Sequence, residues 1–345
     1  MMMPVEWPIA APAANRTTTP ALPRERGRLD SIRADFFLDD AHRLSEQERA
    51  LMGAMLAGLI DSLADELLAL VQPLLTARIE PVRQQIAARL WSEGGLASDG
   101  LVALLVRRSD EQRLMAGGRR SADGRGSVDQ LVADADEGVA VAAMALTVAR
   151  GRRRDRFGRI GIDFDDLPEA DARDLVFRLA ATARIEAELA GQDADEDMAR
   201  AADMLLSRRS PDQGLDRQSV SLATAMRAAQ RDDSTEFDRL CVDGEAGLVA
   251  ALLALRAGID PSTGWCLLAE EGPREVMLLA RLAGSERSAA ARLLATLGDS
   301  LGIPDPASAI SIFDGLTNAE VEERRRWFRL PPSYRDALRW IEHRD

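Results

Sequence analysis

A long stripe of apolar residues, recurring at three- and four-residue steps, governs how the first part of this chain can fold. The stripe runs from Leu51 to Leu74, and this spacing keeps apolar side chains on one face of an α-helix. Ser45 and Glu48 precede it with the spacing of a capping box, in which two side chains satisfy backbone donors at a helix start. The pattern therefore predicts a helix that begins near residue 45 and ends or kinks at Pro73.

Shorter helical patterns follow along the rest of the chain, with no β-rich interval between them. Ala, Leu, Arg and Glu, which are strong helix formers, recur throughout, whereas aromatic residues make up only 4%. Thr317 and Glu320 supply a second capping box. The further predicted helices span 80–91, 99–107, 128–134, 137–150, 168–189, 196–207, 219–230, 235–241, 246–257, 264–269, 274–283, 287–297, 307–313, 318–328 and 333–342.

Helices of this length cannot each bury an apolar face alone, so we expect them to stack as pairs on their neighbours. The sequence therefore predicts an all-α fold, in which stacked helical pairs form an irregular HEAT-like array, or α-solenoid. Segments 80–87 and 131–143 are similar to degraded second helices of HEAT repeats, although they keep no strict period.

Polar, glycine-containing breaks at 117–127, 151–166 and 208–218 separate groups of predicted helices. The middle break contains an alternating apolar pattern, Ile160, Ile162 and Phe164, which fits a short strand or a packed loop. We take this break as the boundary between an N-terminal helical domain, 28–158, and a C-terminal helical domain, 159–345. A disordered tail rich in Pro, Ala and Thr is predicted over 1–27.

Composition limits the compartment and the chemistry. All 44 basic residues are arginine, so mechanisms that need a lysine amine are excluded. The two cysteines, Cys241 and Cys266, are too few for a disulfide scaffold and fit a reducing compartment. The longest apolar run, 139–149, is far shorter than the roughly 20 residues of a membrane span. A cytoplasmic location without a membrane span is therefore predicted.

Three stretches together carry a family resemblance: residues 36–56, the two HEAT-like segments, and residues 279–294. The chain resembles the alphaproteobacterial family catalogued as domain of unknown function 2336. The resemblance implies a cytosolic bacterial protein with a helical-repeat-like fold. Its motifs are helix-packing patterns, so it transfers no functional residue to this chain.

Catalytic and metal-binding signatures are weak in this sequence. The only histidines, His42 and His343, lie near opposite ends of the chain, so no paired histidine site can be drawn. Asp193, Asp195 and Asp197 match the start of an EF-hand loop, but methionines occupy the positions where a glycine and a bidentate glutamate are required. We predict no metal, no cofactor and no enzymatic activity, with a carboxylate-dependent enzyme as an alternative.

A dense arginine run at 150–159 is the one strongly basic segment. Guanidinium groups suit carboxylate and phosphate partners, so Arg152, Arg153, Arg154 and Arg156 are candidate partner-binding residues. The formal net charge of -13 opposes binding of a polyanion, which makes nucleic acid a disfavoured partner. A solvated linker is the simpler interpretation of this run.

Aromatic residues gather near the C-terminus, and they support two interpretations. Trp327, Phe328, Tyr334 and Trp340 are candidate partner-binding residues, because large aromatic side chains dominate interface energetics. The same residues would also suit a terminal cap that closes a helical stack, and this is the interpretation we favour.

Taken together, these patterns predict a non-enzymatic helical scaffold or regulatory module that binds another protein. An enzyme using carboxylates, or a nucleic-acid or anion binder that uses the arginine run, are the alternatives. The sequence leaves the oligomeric state and the identity of the partner open.

Overall fold

The structure, a computed structural model, describes residues 46–71, 79–92, 96, 98–118, 126–154, 160–187, 189, 192–269 and 272–342. In these ranges the chain forms sixteen α-helices and two short 3₁₀ helices, without a strand, which confirms the all-α prediction. The first seven are α1 (Glu46–Val71), α2 (Ile79–Ser92), α3 (Asp99–Gly117), α4 (Ser127–Leu131), α5 (Glu137–Arg152), α6 (Glu169–Glu186) and α7 (Gln192–Ser207). The others are α8 (Leu215–Ala228), α9 (Ser234–Val242), α10 (Ala246–Ala257), α11 (Pro261–Ala269), α12 (Pro273–Leu282), α13 (Arg287–Leu297), α14 (Pro306–Gly315), α15 (Asn318–Phe328) and α16 (Pro332–Glu342).

Side-chain caps mark several of the helix starts. Asp136 accepts a hydrogen bond from the backbone amide of Val139 at 3.0 Å at the start of α5. The capping box predicted at α15 is confirmed, because Thr317 and Glu320 each accept from the backbone amide of the other, at 3.2 and 2.9 Å. The capping serine predicted for α1, Pro73, both histidines and the tail 1–27 lie outside the described residues.

The first of two apolar cores is built around α1. One face of this helix packs against α2, α3, α6 and α7, and α2 also lies against α6. The three- and four-residue steps of the sequence put Met52, Leu56, Leu63 and Leu67 on the buried face, each at most 1% exposed. This part of the fold follows directly from the apolar stripe.

The second core is built around α10. Its sequence is apolar on nearly all sides, which is typical of a helix enclosed by others. It contacts α3, α8, α9, α11 and α12, while residues of α4, α5 and α13 to α15 complete the cluster. Among the described residues, no helix has the length and hydropathy needed to cross a bilayer.

The two cores interleave along the chain. Residues 160–206 pack with the first core, whereas 114–146 pack with the second, so the division between the cores does not coincide with the predicted boundary after residue 158. In a regular stack each repeat contacts its neighbours alone, but here α2 contacts α6 and α1 contacts α7. A HEAT-like arrangement is therefore not confirmed.

The alternating segment before α6 forms a loop instead of a strand in the part that is described. Ile160 makes one isolated antiparallel bridge with Arg154, and a 3₁₀ helix follows over Phe164–Asp166. The packed-loop interpretation is the one that the structure bears out.

Close packing of α10 on α11 yields a first prediction. A Cβ atom added at Gly264 would lie 2.5 Å from the Cβ of Ala254, whereas at Gly58 in α1 nothing lies within 4 Å. Alanine favours helix over glycine by up to about 1 kcal/mol, but overpacking costs about 1–3 kcal/mol. We expect Gly264→Ala to lower the free energy of unfolding and Gly58→Ala to raise it, as measured by urea denaturation. Equal stabilisation by both would contradict the close approach.

Candidate functional site

A buried polar segment of α3 lies where the two apolar cores meet. Val106 belongs to the first core and Leu114 to the second. Between them, Arg108, Ser109 and Asp110 are only 1%, 5% and 4% exposed. Burying a charged group is costly unless it is paired, so the partners of Arg108 determine what this region can do.

Arg108 is surrounded by carboxylates that come from three parts of the chain. Its guanidinium lies 2.5 Å from Glu111, 2.7 Å from Asp216 on α8, and 3.8 Å from Asp166 in the 3₁₀ helix before α6. Arg107 shares two of these partners, Asp216 at 3.0 Å and Glu111 at 3.4 Å. The joint between the cores is therefore held by ion pairs.

Arg153, at the end of α5, completes the cluster on the other side of Asp166. It makes a two-pronged ion pair with that carboxylate, at 2.6 and 2.7 Å, and donates to the carbonyl of Ala149 at 2.7 Å. Asp166, whose side chain is fully buried, also accepts from the backbone amides of Leu215 at 2.8 Å and Asp163 at 3.1 Å. This one carboxylate ties α5, the 3₁₀ helix and the start of α8 together.

Arg150, one turn earlier on α5, makes a second two-pronged pair with Glu245 at the start of α10. With this pair, four arginines (107, 108, 150 and 153) face four carboxylates (111, 166, 216 and 245), so the cluster is formally neutral. We call these eight residues the joint cluster.

The joint cluster stabilises the charged forms of its members. Burial acts to lower the pKa of Arg108, but the carboxylates of Asp216, Glu111 and Asp166 outweigh it and hold this pKa above its ordinary value. Burial of the Asp216 carboxylate acts to raise its pKa, but the positive charges of Arg107 and Arg108 outweigh burial and hold this pKa below its usual range. The side chain of Asp216 nevertheless stays 39% exposed, so solvent screens part of this effect.

A small cleft opens beside the joint cluster, between α3, α5 and α10. Its lining includes Arg108, Glu111, Arg150, Arg153 and Glu245. The cavity volume is about 50 Å³. This is enough for a few water molecules, each of which needs roughly 10–15 Å³. Binding sites for drug-sized ligands are typically several hundred Å³. A nucleotide or similar substrate does not fit this cleft.

The structure separates the four arginines that the sequence grouped together. Arg153 is buried, and its guanidinium is occupied by Asp166, so it cannot contribute to an exposed binding surface. Arg152 is exposed at the end of α5, and Arg154 is exposed at the edge of the cleft. Arg156 lies outside the described residues. The described part of the run, 150–154, is therefore not one continuous basic face, because Arg153 lies in the interior while Arg152 and Arg154 lie in solvent.

The aromatic candidates are also divided between the interior and the surface. Phe328 is 2% exposed and belongs to the second core, and the half-buried Trp327 packs against the same core. Tyr334, at the start of α16, is 53% exposed. Trp340 lies in α16, but its side chain is outside the described part of the structure.

In helix α16 the apolar side chains of Tyr334 and Ile341 face solvent, whereas the guanidinium of Arg335 faces the protein. Arg335 is 4% exposed, donates to the hydroxyl of Thr263 at 2.7 Å, and lies 5.6 Å from the ring centre of Phe328. Tyr334 and Ile341 are 53% and 54% exposed. A surface helix ordinarily has the opposite arrangement, with its apolar stripe on the core. Sequence reasoning could not detect this inversion, because Arg335 looks like an ordinary surface residue.

Groups with potential reactivity are sparse in the described residues. No cluster of three or more His, Cys, Asp or Glu side chains there is arranged to hold a metal ion. Burial raises the pKa of the Cys241 thiol to about 12, so it stays protonated at neutral pH and is a poor nucleophile. Asp193 and Asp195 lie in the first turn of α7, where the helix dipole favours acidic side chains.

No family model, curated protein or solved structure matches this chain. The resemblance to domain of unknown function 2336 therefore stays a prediction.

The joint cluster gives a second prediction, which concerns stability. Asp166→Asn leaves Arg153 without its buried counter-charge, and breaking a buried pair in this way costs about 3–5 kcal/mol. The same change at Asp314 removes an exposed pair with Arg287 and should cost less than about 1 kcal/mol. Urea denaturation of both variants measures the contrast, and equal losses would contradict a structural role for the cluster.

A third prediction concerns acid. Because the folded-state pKa of Asp216 is depressed, its contribution to stability is present above its unfolded pKa of about 3.9 and is lost as pH falls through the folded value. Below about pH 4 the unfolded state binds the proton first, so the free energy of unfolding falls. Asp216→Asn should make this fall less steep, as measured by urea titrations from pH 5 to pH 2. An unchanged slope would show that Asp216 is not perturbed.

Proposed function

We propose that this chain is a non-enzymatic helical module that binds another protein through the outward face of α16. The observation that carries the proposal is the exposure of two large apolar side chains of this helix beside a buried arginine. Among the side chains of α16 that the structure describes, the charged Arg335 faces the protein, while Tyr334 and Ile341 are more than half exposed. Large apolar side chains that share an exposed helix face are typical of protein-binding sites.

The spacing of the exposed residues suits contact with a partner groove or helix. Tyr334, Leu338 and Ile341 are separated by four and three residues, so they share one side of α16. Leu338 is half-buried, which leaves a shallow apolar surface flanked by more exposed side chains. A tyrosine at one end adds a hydroxyl that can donate or accept at the rim of an interface.

The other candidate functions have less support. A nucleic-acid or anion interface on the arginine run needs free guanidinium groups, but Arg150 and Arg153 are bound to carboxylates. An enzyme that uses carboxylates needs an acid with a shifted pKa in a cleft. Asp165 and Glu236 have pKa values raised chiefly by loss of hydration, but neither lines the cleft at the joint cluster.

We further propose a cytoplasmic location and membership of domain of unknown function 2336. Both cysteines are free, as expected in a reducing compartment. The family proposal rests on the sequence resemblance described above. A cytoplasmic protein partner follows from the two proposals together.

The binding proposal predicts that Tyr334→Asp combined with Ile341→Asp lowers recovery of a partner protein tenfold or more. Each substitution puts a charge into a contact where truncating a central residue commonly costs about 2 kcal/mol or more. The measurement is quantitative mass spectrometry after in-cell crosslinking and affinity capture of the full chain from its native cytoplasm.

The matched control is Ile185→Asp combined with Met204→Asp, which charges two side chains of similar exposure, 47% and 46%, on α6 and α7. It should retain the partner. The proposal fails if both double variants recover the same proteins as the wild type, or if they lose them equally. Melting temperatures of both variants must stay within a few degrees of the wild type for the comparison to count.

A further inference from the structure

Helix α5 has apolar side chains on two opposite faces, and the structure covers only one of them. Its inner face, formed by Val139, Ala142, Ala143, Leu146 and Ala149, is buried. On the outer face Val141, Met144 and Val148 are 62%, 49% and 46% exposed. Helices that are apolar all round are normally enclosed, so the outer face of α5 lacks the covering that its sequence suits.

Two charged residues of opposite sign lie at the two ends of the outer stripe. Glu137 at the start of α5 and Arg152 at its end are both exposed, and neither has an ion-pair partner in the described part of the chain. At 1.5 Å per residue they lie roughly 22 Å apart, too far to pair with each other. In the part of the chain that the structure describes, the surface is thus an apolar stripe with an exposed anion at one end and an exposed cation at the other.

The stripe on one copy of α5 is complementary to the same stripe on a second copy that runs in the opposite direction. A two-fold axis beside the Met144–Ala145 bond would place Glu137 of one copy opposite Arg152 of the other. It would likewise place Val141 of one copy opposite Val148 of the other. The same operation opposes Gly138 to Gly151, and a Cβ atom at Gly151 would meet nothing within 4 Å. Small residues at both ends would let two helix backbones approach closely.

We propose that two copies of this chain associate through the outer faces of their α5 helices, packed antiparallel about a two-fold axis. Charge complementarity favours a second copy of this chain as the molecule that covers the stripe. Antiparallel pairing neutralises both end charges with the chain's own residues, whereas parallel pairing would set Glu137 against Glu137 and Arg152 against Arg152. Isologous two-fold contacts of this kind are also the commonest form of self-association.

The size of the surface indicates a weak dimer. Stable dimers bury about 800 Å² per partner, and three exposed side chains on one helix, with small neighbours, provide less than that. We therefore expect a dissociation constant in the micromolar range and a dimer fraction that rises with protein concentration. The proposal is independent of the α16 surface, so the Tyr334 and Ile341 variants should dimerise normally.

Sedimentation velocity over a concentration series tests the dimer, with charge exchange as the specific probe. Glu137→Arg and Arg152→Glu should each raise the dissociation constant tenfold or more, because each sets like charges against one another. The double variant Glu137→Arg/Arg152→Glu should restore dimerisation to within a few-fold of the wild type. Because these changes also oppose the helix dipole, urea denaturation at low concentration checks that each variant folds.

Disulfide crosslinking tests the position of the proposed two-fold axis along α5. In Met144→Cys the introduced thiols of two copies would lie next to each other, so mild oxidation should yield a disulfide-linked dimer. Met204→Cys, at a similarly exposed position on α7, should not form one. Val141→Gln/Val148→Gln should abolish the wild-type dimer, whereas Ile185→Gln/Met204→Gln should leave it intact.

The proposal is overturned by a wild-type chain that stays monomeric at several hundred micromolar. It is also overturned if the dimer is unaffected by Val141→Gln/Val148→Gln, or if the double charge exchange fails to restore what each single change removes. Binding of the monomer to liposomes of anionic lipid through Val141 and Val148, without dimerisation, would assign the stripe to a membrane surface instead and would equally overturn it.

Discussion

The ion pairs around Arg108 connect the two halves of the hydrophobic interior. A guanidinium buried between two apolar cores would cost several kcal/mol if it were unpaired. It is tolerated because Asp166 and Asp216, from the loop before α6 and from α8, reach it at the same place. These two carboxylates can contact Arg108 only where α3, α8 and the loop are packed together.

The joint cluster also sets the rotation of α5 about its own axis. Arg150 points inward, because its guanidinium is bound to Glu245 at the start of α10. An α-helix turns about 100° per residue, so Val141, nine positions earlier, must face the opposite way. The exposed stripe on α5 is therefore a geometric consequence of an ion pair on the other side of the same helix.

Much of the helical structure could be predicted from sequence, because helix signals are local. Periodicity located α1, and the Thr317–Glu320 pair marked the first residue of α15. The C-terminal half of α3 was missed, since its polar residues resemble a solvated segment until partners neutralise them. Arg108 meets Asp216 across 108 positions and Arg150 meets Glu245 across 95, so no local pattern reveals either pair.

The candidate surfaces were only partly visible in the sequence, for the same reason. The aromatic cluster near the C-terminus was found, but its division into a buried Phe328 and an exposed Tyr334 depends on how Arg335 docks. The apolar run of α5 was recognised as too short to cross a membrane, and its composition fits a buried helix. That one of its faces is uncovered depends on tertiary contacts, which a single sequence does not contain.

Both exposed apolar surfaces share one physical cause. On α5 and on α16 an arginine faces the protein, and rotating either helix to bury its apolar stripe would pull that guanidinium into solvent. For α5 the rotation would leave Glu245, 6% exposed, as a buried carboxylate without its partner, at a cost of several kcal/mol. Fully burying a valine or methionine yields about 1.5–3 kcal/mol, so burying the remaining half of the three exposed side chains of α5 would gain about 2–5 kcal/mol. The same rotation would expose the buried Val139 and Leu146 of the inner face, which offsets that gain. The stripes are held outward by buried charge.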